Sequence, residues 1–155
     1  MELISRDQAI LYTIAAIEET DIPHPCSLQK CLENVDLIHC LLVSRLDEEG
    51  SSYYILYWLL NGKMICVAEV DAHSGEVLSF TPFTHPGAEH YHDVEKFAEI
   101  IRTRFPDEAI LSSDLVWRPC RESNSSLYPF RRVVTGKSTY YVSMFGEVYT
   151  ELTPL

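Results

Sequence analysis

Behind Ser5-Arg6-Asp7-Gln8 the apolar residues Ile10, Leu11, Ile14, Ala15 and Ile17 recur at the three- and four-residue spacing of a helix. The serine and glutamine stand at the two ends of a capping box, so the pattern predicts a helix over residues 6–19. Asp21-Ile22-Pro23-His24-Pro25 ends it, because two prolines remove amide donors and hold the chain extended. The segment Ser27–Glu33 fits a short helical turn. From Val35 to Phe80 the period changes to two. The runs LIHCLLVSR, YYILYWLL, MICVAEVD and EVLSF are separated by DEEGSS, Asn61-Gly62 and His73-Ser74-Gly75, which reads as a four-stranded antiparallel meander. Met64, Cys66, Ala68 and Val70 alternate with outward Glu69 and Asp71, while YYILYWLL is apolar on both sides, as a central strand would be.

Thr81 to Tyr91, with Pro82, Pro86 and Gly87, reads as a linker. Asp93 then opens a second helix whose Val94, Phe97, Ala98, Ile101 and Phe105 share one stripe until Pro106 stops it. The β pattern resumes in Ala109–Trp117, Phe130–Val134, Thr139–Met144 and Glu147–Leu152, around the long connection RPCRESNSSLYP. The two halves share element order and turns: Gly62-Lys63 answers Gly136-Lys137, and Gly75-Glu76-Val77 answers Gly146-Glu147-Val148. The expectation is an α+β fold of two consecutive helix plus antiparallel-sheet units, residues 1–83 and 84–155, related by internal duplication.

CVAEVDAHSGEVLSF, residues 66–80, resembles the strand-turn-strand signature of PepSY-like domains, in which a Val-Asp-Ala-x-(Ser/Thr)-Gly-Glu-Val run closes a cystatin-like sheet packed on one helix. It is also similar to small bacterial immunity-type domains with an Asp-x-x-(Ser/Thr)-Gly-Glu turn. The resemblance implies a cystatin-like fold for each unit, and protein binding or inhibition rather than catalysis. The local chemistry is that of a turn: Gly75 can supply a positive φ, and Asp71 or Ser74 can accept backbone hydrogen bonds.

At 155 residues the chain can bury a sufficient core without disulfides or metal. Its formal charge of −11 disfavours nucleic acid or an anionic membrane as a whole-surface partner. The charge is uneven: residues 1–116 carry 7 basic and 20 acidic side chains, residues 117–155 carry 5 and 3, so a basic surface is to be sought in the second half. No run approaches 18 apolar residues, and MELISRDQ lacks a secretory pattern, so the expected location is cytoplasmic. Five cysteines, Cys26, Cys31, Cys40, Cys66 and Cys120, are an odd number and are expected as reduced thiols, with Cys40 and Cys66 in the core.

Three constellations carry candidate chemistry. His85, His90 and His92, with Glu89 and Asp93, are the densest set of potential ligands for a first-row divalent metal, although they lack the i, i+4 pair of an H-E-x-x-H site. His24, Cys26 and Cys31 match a zinc knuckle poorly. Cys120, between Arg118 and Arg121, occupies a setting that would lower a thiol pKa, so a metal-dependent or thiol hydrolase is the alternative function. No glycine-rich phosphate loop or nucleophile elbow is present, and no cofactor is expected. The third constellation is Trp117, Arg118 and Arg121 with Tyr128, Phe130, Arg131 and Arg132, the residue types that dominate binding hot spots. A basic aromatic surface on an acidic protein suits an acidic protein partner, and the expected function is a non-enzymatic binding module. Exposed sheet edges would also permit a homo-oligomer.

Overall fold

The computed structural model describes residues 2–19, 38–60, 63–87 and 93–155. The expected turn at Ser27–Glu33 lies outside them. Helix α1 (Arg6–Glu19) begins as the capping box predicts: the Ser5 amide donates to Gln8 Oε1 (2.9 Å) and the Gln8 amide to Ser5 Oγ (3.1 Å). Ala9, Thr13 and Ile17, four apart, form its buried face. The Thr13 hydroxyl donates back to the Ala9 carbonyl (2.7 Å), which satisfies it inside an apolar contact. The strands are β1 (Ile38–Arg45), β2 (Ser52–Leu60), β3 (Lys63–Asp71), β4 (Val77–Gly87), β5 (Ile110–Trp117), β6 (Phe130–Thr135), β7 (Thr139–Val142) and β8 (Val148–Tyr149), with helix α2 (Val94–Arg104) between β4 and β5. The stretch expected as linker from Thr81 is strand as far as Gly87. Neither helix is long and apolar enough to cross a membrane.

The expectation of two consecutive cystatin-like helix-plus-sheet units, related by duplication, is overturned. The eight strands hydrogen-bond as one mixed sheet in the order β4-β3-β2-β1-β5-β6-β7-β8, with only two helices among the described residues. The sheet's parallel step is β1 against β5, in which Val43 lies opposite Leu115, Ser44 opposite Val116 and Arg45 opposite Trp117. Over these residues neither β1 nor β5 is an open edge.

The chain divides into two compact units: Met1–Leu42 with Ser51–Glu89, and Val43–Gly50 with His90–Leu155. In the first unit β2 pairs antiparallel with β3, placing Tyr54, Leu56 and Trp58 opposite Val70, Ala68 and Cys66. All six are buried in one core with Ala9, Ile17, Ile38 and Cys40. Tyr53, Ile55 and Tyr57, of the other parity, are buried too, so β2 is covered on both faces as its unbroken apolar run predicts. Each such fully buried large side chain contributes about 1.5–3 kcal/mol. At the β3–β4 turn Asp71 Oδ1 accepts from the amides of His73 (2.8 Å) and Ser74 (2.7 Å), and the Gly75 amide donates to the Asp71 carbonyl (3.0 Å). Gly75 takes φ 78°, the left-handed region closed to most side chains.

In the second unit Asp93 caps α2 through Oδ1, which accepts the Lys96 amide (3.1 Å), and Phe97, Ala98 and Ile101 are buried. Strands β5 to β8 form an antiparallel meander. The pleat sets Arg131, Val133 and Thr135 on one face of β6 and Phe130, Arg132 and Val134 on the other. The Arg131 guanidinium lies over the Phe97 ring (5.7 Å), and the rings of Phe105 and Tyr140 stack at 4.3 Å.

Candidate protein-binding surface

The seven residues of the predicted basic aromatic patch fall into three environments. Trp117, Phe130 and Arg131 are core, at 6%, 0% and 6% exposure. The Trp117 indole donates to the Ser123 carbonyl (3.3 Å) beneath the Arg45 guanidinium (5.2 Å), and Phe130 meets Tyr149 edge-on. Arg132 is half-exposed and committed: its Nε and Nη2 grip both oxygens of Asp114 at 2.9 and 2.6 Å. Arg118, Arg121 and Tyr128 sit on the connection between β5 and β6, Arg121 exposed and the other two half-buried.

That connection is held by its own polar groups. The Ser123 hydroxyl donates to the Tyr128 carbonyl (2.8 Å), and the Tyr128 amide donates to the Ser125 carbonyl (3.0 Å). The Arg121 amide donates to the Thr153 carbonyl (2.9 Å), while the Thr153 amide and hydroxyl donate to the two Glu122 oxygens at 2.9 and 2.8 Å. Burial would raise the Glu122 carboxyl, but the Thr153 donors together with its own amide and Cys120 outweigh it and hold the group below its ordinary value.

The β7–β8 turn supplies a residue absent from the predicted patch. Ser143 Oγ accepts the amides of Phe145 (3.2 Å) and Glu147 (3.1 Å), and Gly146 takes φ 85°. The tightened turn lifts Phe145 out to 64% exposure, with its ring 5.7 Å from that of Tyr128. Phe145, Tyr128, Ser123, Asn124, Ser143 and Met144 line a depression whose charged residues are Glu122 and Glu147. The signal for Phe145 in the sequence is a large aromatic beside a turn glycine, where no core position is on offer. Tyr149 donates to Glu147 (2.6 Å), a bond that lifts its phenol to about 12.

The alternative chemistries are placed less favourably. Cys120 is fully buried and its Sγ donates to the Ser123 carbonyl (3.3 Å). Burial pushes the thiol up, whereas the flanking arginines suggest a lowered value: neighbours in sequence do not compensate for lost solvent. His85 lies in β4, His90 and His92 lie outside the described residues, and Asp93 is occupied as the α2 cap. No cluster of three metal-ligating side chains occurs among the described residues. His24, Cys26 and Cys31 lie outside them; Cys40 and Cys66 are buried free thiols, as expected.

Comparison with protein-family models, with curated proteins and with solved structures finds no match for this chain.

Proposed function

We propose that the chain is a non-enzymatic protein-binding module of the cytoplasm that presents the Tyr128–Phe145 pair to an acidic protein partner, with Arg121 of the same β5–β6 connection as its exposed cation. The observation that carries the reading is an exposed aromatic on two hydrogen-bonded, preformed segments, because a rigid aromatic anchor loses little conformational entropy on binding. Exposed Arg121 supplies the charge that an acidic surface would meet. The likeness of residues 66–80 to PepSY-like and immunity-type domains points to the same class of function. Buried free thiols at Cys40, Cys66 and Cys120 suit a reducing compartment.

The test is a quantitative pull-down from the native cytosol with wild type, Phe145→Ala, Arg121→Glu and Lys137→Glu as baits. Lys137 is exposed on the β6–β7 turn, so its reversal matches the charge change of Arg121→Glu elsewhere on the unit. The expected result is one partner retained by wild type and Lys137→Glu and reduced about tenfold or more by the other two. A partner that all four baits hold equally refutes the surface.

A further inference from the structure

Helix α1 is apolar around most of its circumference. It buries Ala9, Thr13 and Ile17, yet on the other side Leu11 is 65% exposed, Tyr12 46% exposed, and Ala15 faces water as well. A helix apolar on all sides ordinarily has cover on all sides. The β3–β4 turn stands alongside, and Tyr12, Ala15, Ala16, Gly75 and Val77 line the groove between them. The charges at one end of this groove are placed against the helix's own interest. Glu18 and Glu19 occupy the last turn of α1, where the macrodipole is already negative, and no basic residue accompanies them. Glu76 is exposed on the opposite wall. Three carboxylates and a helix C-terminus therefore concentrate negative potential beside an apolar strip.

We propose that this groove, with exposed Leu11 and Glu18 beside it on α1, binds a cationic amphipathic helix of a partner protein, its apolar stripe on Leu11, Tyr12 and Ala15 and its basic residues against Glu18, Glu19 and Glu76. On α1 and in the turn a strand finds nothing to pair with, because the backbone there is already used. Helix α1 bonds internally, and in the turn the amides of Asp71, Gly75 and Glu76 donate to Glu76, Asp71 and Ser74 respectively. Recognition must pass through side chains, which an i, i+3, i+4, i+7 stripe can do, and small Ala15 and Ala16 allow close approach. The surface shares no residue with the Tyr128–Phe145 pair, so the two readings stand or fall separately.

The experiment is fluorescence anisotropy of a labelled peptide of about fifteen residues, long enough for four helical turns, with leucine at the stripe positions and lysine elsewhere, titrated with the full chain. The expected result is micromolar binding that weakens severalfold between about 50 and about 300 mM salt, with a scrambled peptide of the same composition at least about tenfold weaker. Leu11→Glu adds negative charge and removes apolar surface, so its expected loss of about tenfold isolates the apolar contact. The Glu19→Lys, Glu76→Lys double variant is expected to lose a similar factor with an unchanged thermal melt. Equal binding of the scrambled peptide, or full affinity in Leu11→Glu or in the double variant, overturns the proposal. So does a wild-type dimer in light scattering that Leu11→Glu dissociates, which would assign the face to a second copy.

Discussion

Replacing Gly75 by alanine puts a methyl group where the ring of Tyr12 already lies. A Cβ built on the backbone falls 2.6 Å from Tyr12 Cδ2 and 2.8 Å from Cε2, well inside van der Waals contact, and the residue would hold φ 78°. Two separate costs arise. The left-handed backbone disfavours alanine by about 1–2 kcal/mol, and displacing the ring adds about 1–2 kcal/mol, at the lower end of overpacking costs because Tyr12 is partly exposed and can swing outward. The expected loss is about 2–4 kcal/mol, read as a lower urea midpoint with an unchanged slope. A double-mutant cycle with Tyr12→Ala separates the terms: without the ring, Gly75→Ala should cost only the backbone part, about 1–2 kcal/mol, and the coupling should be about 1–2 kcal/mol. Equal cost in both backgrounds would show that the turn and α1 do not touch as described.

Arg131→Glu reverses a buried charge over Phe97 and should cost about 3 kcal/mol or more, whereas exposed Arg121→Glu should stay within about 0.5 kcal/mol by urea unfolding. Ser5→Ala removes the acceptor of the Gln8 amide and should cost about 1 kcal/mol by the same assay. Glu122, held below its ordinary carboxyl value of 4.5, stabilises the fold above that value and ceases to do so as pH falls through its lowered one. Wild type should therefore melt higher than Glu122→Gln at neutral pH, and the two melting curves should converge in acid.

Local chemistry is legible along the chain. The capping box, the doubly apolar β2 and the Asp71–Gly75 turn each depend on residues a few positions apart, and each forms where its pattern lies. The parallel pairing of β1 with β5 depends on residues more than seventy positions apart, and nothing in IHCLLVSR names its neighbour. The proposed surface differs from the patch read in the sequence for a different reason. Residue type alone groups Trp, Tyr, Phe and Arg, although the period of two already sends Arg131 and Arg132 to opposite faces of any strand. Burial then divides the group further, and it brings forward Phe145, whose place in the sequence marks only a break between strands.

The division of β1 between the two units governs the order in which the chain can be completed. Residues 43–50 belong with 90–155, but the ribosome delivers them before the whole of 51–89. At about 5–20 residues per second, Val43 waits on the order of 4–14 s for Leu115 to emerge. Throughout that interval the outer edge of β1 is an open row of amides and carbonyls, available to any other extended chain nearby. A fragment begun at residue 90 would carry the same exposure permanently on β5. Synthesis thus contains a window in which a ladder from the middle of the sheet is an open edge.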